Sequence, residues 1–427
     1  MGDKAKKAII IVISVVGIAS IVAGVFYYRQ LRGIWPVVLG PREDISNLLP
    51  PSSSSLVATT SREAASTSPP STYVQAGPLR LLSGFEISIF AKNLAGARVM
   101  TVDSFDNIWV SQTSQGQISI IEYSTTLGYH TPRFIYTGLQ NPHGLAFDPS
   151  DPTVLYIAEE HRITRSRTQS EKDDDHLQSV VELPSGGGHY TRTLGFGPDG
   201  KLYVAIGSSC NVCEESDARR ASVYTMNADG TDFRLFAKGL RNSVFFTWSP
   251  YDNKMWATEM GRDLIGDDVP PDEINIIKDG GNYGWPICYG KNIHDTDYDK
   301  RTYIRNPCLE SFETPSHIDL QAHSAPLGLA FIPKAVGWPK AYEGDLLVAF
   351  HGSWNRSVPT GYKVVRVKLD EQGNYIGIED FITGYLGSAK IASGAIGRPA
   401  HMLFLKNGAL LISDDKAGVI YKVLPKM

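Results

Sequence analysis

The chain has 427 residues, including 40 glycines and 25 prolines. Its formal net charge is −4, from 41 basic and 45 acidic side chains, so there is no general electrostatic attraction for nucleic acid. The length is enough for one large domain, and frequent Gly and Pro are typical of short strands separated by turns. Composition therefore argues against a nucleic-acid-binding protein and favours a β-rich fold.

The chain opens with an apolar segment, residues 8–28, that contains no charged side chain. About 20 apolar residues are long enough to cross a bilayer as a helix. Lys4, Lys6 and Lys7 precede the segment, and the aromatic residues that end it offer no small-residue cleavage site. These features favour a single uncleaved transmembrane helix at 8–28 over a cleaved signal peptide, with a cytoplasmic N-terminus at 1–7.

A linker is predicted after the apolar segment. Residues 50–72 form a Ser/Thr/Pro-rich tract with almost no apolar side chains, a composition typical of disordered chain. We therefore predict a linker over residues 29–78 and a folded domain over residues 79–427.

Within the predicted domain one pattern occurs six times: an apolar run and a turn, followed by a second run of three or four apolar residues. The second runs begin at Asn107, Val154, Lys201, Lys254, Asp345 and Ala409. The first runs begin at Met100, Gly144, Leu194, Phe246, Gly328 and His401. Strand-rich repeats of about 40 to 50 residues are typical of β-propellers, in which each repeat forms one blade. The sequence therefore predicts an all-β, six-bladed β-propeller with a long insertion in the fourth repeat, and a β-sandwich is the weaker alternative.

The four cysteines form two groups. Cys210 and Cys213 make a C-x-x-C pattern, and Cys288 and Cys308 lie in the insertion of the fourth repeat. A four-thiolate metal site would require both groups to converge, whereas two disulfides require only an oxidising compartment. We favour the disulfides Cys210–Cys213 and Cys288–Cys308, which would place the propeller on the extracytoplasmic side of the membrane.

Polar residues recur just before the first apolar run of each repeat, a position that lies at one mouth of the channel in a propeller. They are Arg98, His143, His189 with Arg192, Arg241 with Asn242, His323 and Arg398. So many cationic groups at one mouth would repel one another unless they surrounded a compact polyanion. Each residue taken singly is as readily structural, paired with a carboxylate or buried as a core histidine. Their repetition at one position favours a ligand site.

The insertion of the fourth repeat carries an acidic stretch, residues 266–275. Asp267, Asp268, Asp272 and Glu273 lie there among Gly and Pro residues. Carboxylate and backbone oxygens suit a hard cation, so the stretch indicates calcium rather than zinc. A solvated acidic turn is an equally consistent interpretation, since no EF-hand loop is present.

Five motifs together resemble those of the soluble quinoprotein glucose and sorbosone dehydrogenases, above all the branch of pyranose and sorbosone dehydrogenases that uses pyrroloquinoline quinone (PQQ). They are GHYTRTL at 188–194, GLRN at 239–242, DEIN at 272–275 with GNYGWP at 281–286, HGSWNR at 351–356 and GRP at 397–399. The resemblance spans residues 79–427. It implies a quinone with three carboxylates over the channel mouth, calcium beside it, and oxidation of an aldose, pyranose or sorbosone-like sugar with an external electron acceptor.

The resemblance also implies roles for individual residues. His189 matches the catalytic base of the family, and Arg241 with Asn242 matches the pair that contacts the quinone oxygens. Arg398 matches an arginine that contacts a cofactor carboxylate. The other implied cofactor-binding residues are Arg98, His143, His351 and Trp354.

Two positions depart from the glucose dehydrogenase pattern. The Asp that orients the catalytic His in those enzymes is replaced here by Ser208, beside Cys210. The Gly-Pro pair that offers backbone oxygens to calcium is absent, and Asp267 and Asp268 near its place are the candidate metal ligands.

Two other functions fit a six-bladed propeller, since one fold hosts many activities. A calcium-dependent lactonase or esterase would need carboxylates and Asn at the channel mouth, where the predicted ring is cationic instead. A non-enzymatic propeller that binds a protein or glycan at a surface would give no reason for His189 and the ring arginines to occur together. The sequence thus favours a membrane-anchored, PQQ-dependent sugar dehydrogenase.

Overall fold

Six β-sheets surround a central axis in the computed structural model, which describes Leu49 and residues 73–126, 128–168 and 177–426. The innermost strand of each sheet contacts the innermost strand of the next, and the sixth contacts the first. The six-bladed β-propeller predicted from the repeats is therefore confirmed.

The blades are numbered in chain order, and their strands are given from the inside outward. Blade 1 contains Ala97–Val102, Ile108–Gln112, Gln117–Ile121 and Arg133–Tyr136, with a small hairpin of Tyr123–Ser124 and Gly128–Tyr129. Blade 2 contains Leu145–Phe147, Val154–Ala158, Arg162–Arg167 and Gln178–Glu182. Blade 3 contains Arg192–Phe196, Leu202–Ile206, Ser222–Met226, Arg234–Lys238 and the short parallel strand Gly281–Asn282.

Blade 4 contains Phe246–Trp248, Met255–Glu259, Asp272–Ile277 and Ile318–Leu320. Blade 5 contains Pro326–Phe331, Leu346–Phe350, Lys363–Leu369, Tyr375–Thr383, Leu79–Leu82 and Tyr73–Ala76. Blade 6 contains Pro399–Phe404, Leu410–Asp414, Val419–Pro425 and Phe85–Ala91. The 3₁₀-helices among the described residues are Thr113–Gln115, Pro307–Leu309, Lys340–Tyr342 and Ala392–Gly394.

In every blade the two predicted apolar runs form the first and second strands, paired antiparallel. All five residues of each second strand are buried, as in Leu202–Ile206 and Leu410–Asp414. A second strand is covered on both faces by the neighbouring blades. This double coverage explains why the sequence shows a continuous apolar run there and not an alternation of apolar and polar residues.

Strands that are distant in sequence complete blades 5 and 6. Phe85–Ala91 pairs with Val419–Pro425 and closes the ring. Tyr73–Ala76 and Leu79–Leu82 form a hairpin on the outer edge of blade 5. Because residues 73–76 have strand partners at that edge, the described sheet begins at Tyr73, inside the range predicted as linker, and not at Leu79.

Both predicted disulfides are present. The Cα atoms are 6.2 Å apart in Cys210–Cys213 and 5.8 Å apart in Cys288–Cys308. Both cysteines of the second disulfide lie in the insertion of blade 4, and Cys288 belongs to a short hairpin of Cys288–Tyr289 and Ile293–His294. The four-thiolate metal site is therefore excluded.

The predicted transmembrane helix at 8–28 and the predicted cytoplasmic residues 1–7 lie outside the described residues. So does the predicted linker up to residue 72, apart from Leu49. In the described part of the chain, no helix has the length and apolar character needed to span a membrane. The anchor stays a prediction from the sequence.

Candidate active site at the channel mouth

A cavity of about 380 Å³ lies where the first strands begin and the second strands end. Because these two strands are antiparallel, the residues before one and after the other meet at the same end of the propeller. The predicted site residues that line this cavity are His189, Arg241, Asn242, His323, His351, Trp354 and Arg398. The structure thus brings together most of the residues that the sequence singled out.

Three of the predicted ring residues do not line the cavity. His143 is fully buried against Phe245, and its Nδ1 lies 3.3 Å from Thr193 Oγ1. Burial holds the pKa of His143 well below its usual value, so it is a neutral core histidine. Arg192 is also buried and donates hydrogen bonds to the backbone carbonyl groups of Pro184 and His189. The third, Arg98, lies beside the cavity and contacts His351.

His189 is oriented by Ser208. Its Nδ1 lies 2.8 Å from the Oγ and 3.1 Å from the carbonyl oxygen of Ser208. Ser208 Oγ donates its own proton to the Cys210 carbonyl oxygen at 2.6 Å, so both Ser208 oxygens accept from Nδ1. The proton therefore lies on Nδ1, and Nε2 keeps its lone pair. Burial and the nearby Arg241 hold the pKa of His189 well below its usual value, so the ring is neutral at physiological pH.

Close packing brings His189 to this position. A Cβ on Gly207 would lie 2.6 Å from the Cβ of His189, so only glycine fits beside the imidazole. On the other side, Arg192 Nη1 donates to the His189 carbonyl oxygen at 3.0 Å. Arg192, on the first strand of blade 3, thus fixes the backbone of His189, and Gly207 leaves room for its side chain.

Arg241 is buried and held by a network of acceptors. Its Nε donates to the Asn211 carbonyl oxygen, and its Nη2 donates to Asn211 Oδ1, each at 2.8 Å. Nη2 also forms an ion pair with Asp263 at 2.8 Å. The amide group of neighbouring Asn242 donates to the Sδ of Met260 at 3.5 Å. These contacts fix the guanidinium at the edge of the cavity.

Arg398 is a buried cation without a carboxylate partner in the described part of the chain. Its Nε donates to the carbonyl oxygen of His351 at 2.9 Å, and its Nη2 donates to the carbonyl oxygen of Gly352. Burial lowers the pKa of Arg398. A buried guanidinium that lines a cavity and has no direct ion-pair partner is suited to binding an anionic ligand.

A second histidine lies in an ion-pair cluster beside the cavity. His351 Nε2 lies 2.8 and 3.0 Å from the two carboxylate oxygens of Asp415, which also pairs with Arg98. Burial lowers the pKa of His351 to about 4, although Asp415 opposes the shift. The group is therefore a neutral imidazole next to an Arg–Asp pair.

The carboxylates of the cavity are Asp263 and Asp272. Asp272 accepts hydrogen bonds from the backbone N–H groups of Gly261 and Ala325 and from the hydroxyl of Ser324. Burial raises the pKa of Asp272 to about 7. The cavity therefore holds one carboxylate paired with Arg241 and a second, Asp272, that forms no ion pair with a cationic side chain of the described residues.

The predicted metal ligands Asp267 and Asp268 are not among the residues that line the cavity. Asp267 accepts from the backbone N–H of Ser357 at 3.1 Å, and Asp268 pairs with Arg356 at 3.1 Å and is 88% exposed. Among the described residues, the acidic stretch contributes to no cluster of three metal-ligating side chains. The cluster that does occur among the described residues lies elsewhere, at Cys210, Cys213 and Glu215, and its two cysteines form a disulfide.

Sequence reasoning missed Asn211, Asp263 and Asp415. All three follow the second strand of a blade, and Asn211 and Asp263 line the cavity, while Asp415 contacts His351 beside it. The residues that the repeat pattern predicts all precede a first apolar run, whereas His351 and Trp354, which follow a second strand, are implied by the family resemblance. In an antiparallel pair, the second strand ends where the first strand begins, at the end of the blade away from the connecting turn. The repeat pattern could therefore have pointed to residues after the second strands as well.

The fold and the site define a six-bladed propeller whose channel mouth combines a neutral histidine with two buried arginines. The chain belongs to the TrAA12-like family, whose model matches residues 79–426. Proteins that this chain resembles at low identity include PQQ-dependent sugar dehydrogenases.

Two relatives show how far the sequence similarity extends. An uncharacterized protein of Borreliella burgdorferi is 31% identical over 369 residues, which cover 81% of this chain and 90% of that protein. A PQQ-dependent pyranose dehydrogenase of Coprinopsis cinerea is 23% identical over 332 residues. That match covers 68% of this chain but 44% of the dehydrogenase.

Two solved structures share the fold. The calcium structure of the Trichoderma reesei carbohydrate-active enzyme of family AA12 has a TM-score of 0.67 at 20% identity, covering 81% of this chain and 96% of that chain. The holo form of the PQQ domain of the C. cinerea pyranose dehydrogenase has a TM-score of 0.65 at 18% identity, covering 83% and 98%.

Proposed function

We propose that the protein is a PQQ-dependent dehydrogenase that oxidises a sugar and passes the electrons to an external acceptor. The observation that carries the proposal is the presence in one cavity of two complementary groups. His189 presents an unprotonated ring nitrogen, and Arg398 is a buried cation with no ion-pair partner among the described residues. The first is suited to accepting a proton and the second to binding an anion.

The cavity fits PQQ in size, and Arg398 offers a cation to one of its carboxylates. PQQ carries three carboxylates, and the hydrogen bonds of the Arg398 guanidinium go to the backbone carbonyl groups of His351 and Gly352 and not to a carboxylate. A volume of about 380 Å³ is in the range of small-molecule sites. Arg241, which Asn211 and Asp263 hold rigid, would contact the quinone oxygens. When bound, PQQ would supply the hydride acceptor.

His189 would act as the general base. Its Nε2 takes the proton from the sugar hydroxyl that is oxidised, and the Nδ1 proton stays on the Ser208 oxygens. A positioned base of this kind contributes roughly 10²- to 10⁴-fold to the rate. Because the pKa of His189 is depressed, the base is already unprotonated at physiological pH. Arg241 would stabilise negative charge that develops next to it.

Calcium would bind at Asp263 and Asp272. Both line the cavity, and Asp272 has no cationic side chain within ion-pairing distance in the region described. A divalent cation would compensate that buried charge, and carboxylate oxygens are the ligands that calcium prefers. This assignment replaces Asp267 and Asp268, whose oxygens contact Ser357 and Arg356 instead.

A calcium-dependent lactonase or esterase is the second candidate. The presence of Asp263, Asp272 and Asn355 in one cavity favours it, because Asp263 Oδ1 accepts from Asn355 Nδ2 at 2.7 Å. A lactone or ester carries no carboxylate for Arg398 to bind, so we rank the hydrolase below the dehydrogenase. Hydrolysis of a lactone without added quinone would reverse that order.

We also propose that residues 8–28 anchor the propeller on the extracytoplasmic side of a membrane. The supporting observations are the apolar segment and the two disulfides. Mass spectrometry of the native protein checks this: an N-terminus beyond Tyr28, or free thiols, would contradict it.

Two substitutions separate the proposed roles. Arg398→Ala should weaken equilibrium binding of PQQ by roughly 10- to 100-fold, since a charged hydrogen-bonding group is lost. His189→Gln should bind PQQ as the wild type does and lose most of its turnover. Arg234→Ala, on the outer strand of blade 3 and paired with Asp279, is the matched arginine control. Unchanged PQQ affinity of Arg398→Ala would contradict the cofactor assignment.

A further inference from the structure

One short loop contacts both groups that the proposed reaction needs. The loop, residues 208–213, follows the second strand of blade 3, Leu202–Ile206. Cys210 and Asn211 line the cavity together with His189 and Arg241. The loop ends in the disulfide between Cys210 and Cys213, three positions apart.

The 208–213 loop determines which nitrogen of His189 carries the proton. Ser208 Oγ accepts from His189 Nδ1 only because it donates to the Cys210 carbonyl oxygen. If that carbonyl moved away, the hydroxyl proton could turn toward Nδ1 and favour the ring proton on Nε2. The Ser208 carbonyl oxygen, 3.1 Å from Nδ1, would then be the remaining acceptor that favours the Nδ1–H tautomer. With its proton on Nε2, the ring could not accept a proton from a substrate in the cavity.

The same loop determines the direction of Arg241. Asn211 accepts two of the arginine hydrogen bonds, one at its backbone carbonyl and one at its side-chain Oδ1. Two further hydrogen bonds join Asn211 to the backbone of Asp263. Asn211 Nδ2 donates to the Asp263 carbonyl oxygen at 3.0 Å, and the Asp263 N–H donates to Asn211 Oδ1 at 2.7 Å. Asp263 in turn forms the ion pair with Arg241. Displacement of Asn211 would therefore weaken the hydrogen bonds that position both Arg241 and Asp263.

We propose that the Cys210–Cys213 disulfide is a positioning element of the active site, because it holds the Cys210 carbonyl and the Asn211 amide against His189 and Arg241. The inference rests on the proposed roles of those two residues. Glu215 adds a second fixation, accepting from the Ser209 backbone N–H at 2.6 Å and from its hydroxyl at 2.7 Å. The cysteines themselves contact no substrate and act through their neighbours.

The disulfide is accessible, since both cysteines are only half-buried. A dithiol reductant would open it by thiol–disulfide exchange. One thiolate of the dithiol attacks a cysteine sulfur, the second thiol resolves the mixed disulfide, and the dithiol is oxidised to a cyclic disulfide. Cys210 and Cys213 then carry the two electrons and two protons as thiols. The proposed activity should fall on reduction and return on reoxidation.

The chain provides a matched design for this test. In the double variant Cys288→Ser/Cys308→Ser, Cys210–Cys213 is the one disulfide left, because the chain has four cysteines. This variant should retain activity when oxidised and lose roughly 10- to 100-fold in kcat with dithiothreitol, a loss typical of a misplaced reacting group. The converse variant, Cys210→Ser/Cys213→Ser, should show the same loss without reductant.

A readout in the cofactor-free protein separates this inference from the proposed function. ¹⁵N NMR of histidine-labelled protein reports the tautomer of His189, assigned by its absence in His189→Gln. We expect the Nδ1–H tautomer in the oxidised protein and a mixture or the Nε2–H tautomer in Cys210→Ser/Cys213→Ser. An unchanged His189 tautomer in the folded variant would overturn the positioning role, whether or not the wild type oxidises sugars.

Measurement of kcat provides a second test of the inference. If the wild type oxidises sugars and the reduced Cys288→Ser/Cys308→Ser variant keeps its kcat, the inference is wrong while the proposed function stands. If the wild type oxidises no sugar but the tautomer changes on reduction, the proposed function is wrong while the structural role of the disulfide stands.

Discussion

At the scale of single residues, the proposed base is oriented by neutral groups. Ser208 offers a hydroxyl and a carbonyl oxygen to His189 Nδ1, and neither carries charge. An imidazolium formed during turnover would gain no ion pair from them, while burial and Arg241 disfavour it. His189 should therefore be a weak base that remains unprotonated at mildly acidic pH.

Ser208→Asp tests this account through the pH dependence of kcat/KM. In the wild type the depressed pKa means that His189 stays unprotonated until the pH falls well below 6.5, so the acid limb of the profile lies at low pH. A carboxylate at position 208 would stabilise the imidazolium and raise the pKa of His189. We expect the acid limb to move to higher pH by roughly 1 unit or more.

Ser208→Asn is the control for this prediction. It adds bulk and hydrogen-bonding groups but no charge, so its acid limb should stay with the wild type. Coincident profiles for Ser208→Asp and the wild type would show that His189 does not set the acid limb.

At the scale of elements, the ring is held closed by one strand. Phe85–Ala91 brings Phe85 into an aromatic cluster with Trp338, Phe381 and Tyr342, at ring-centroid distances of 4.8, 5.0 and 5.2 Å. The latter three belong to blade 5, whereas Phe85 belongs to blade 6. The cluster therefore joins the last two blades.

Phe85→Ala should lower the free energy of unfolding of the propeller by about 3–5 kcal/mol, as for other buried aromatic truncations. Phe85 is 1% exposed, so the loss includes both its transfer from water and the cavity left behind. Urea unfolding measures the change. Phe105→Ala, at a position that is 58% exposed, should have little effect. A loss below about 1 kcal/mol for Phe85→Ala would mean that this strand does not close the ring cooperatively.

The strands differ in how well the sequence predicts them, for a physical reason. Second strands are covered on both faces, so their apolar runs are continuous and easy to recognise. The pairing of Phe85–Ala91 with Val419–Pro425 is a contact between distant parts of the chain, which no local pattern specifies. The same holds for Tyr73–Ala76, whose outer-edge position leaves it mostly half-buried.

The residues of the site also differ in how well the sequence predicts them. His189, Arg241 and Arg398 could be predicted because the repeat fixes where a first strand begins. His143 has the same offset but packs into the core, because its ring fits against Phe245. Asn211 lies in a loop whose conformation depends on a disulfide, so its contact with Arg241 could not be read from spacing.

At the scale of the whole molecule, the site exists only because the ring is closed. His189, Arg241, His351 and Arg398 come from the loops of four blades, and a single blade carries at most part of the set. We propose that the closed ring oxidises a sugar with PQQ at this mouth.

The most direct measurement is sugar-dependent reduction of an artificial dye by the purified propeller reconstituted with PQQ and calcium. We expect aldose or pyranose sugars to reduce the dye only when PQQ is present, with His189→Gln lowering the rate roughly 10²- to 10⁴-fold. Dye reduction at the wild-type rate by His189→Gln would place the base elsewhere. No reduction with any sugar, in protein shown to bind PQQ, would contradict the claim.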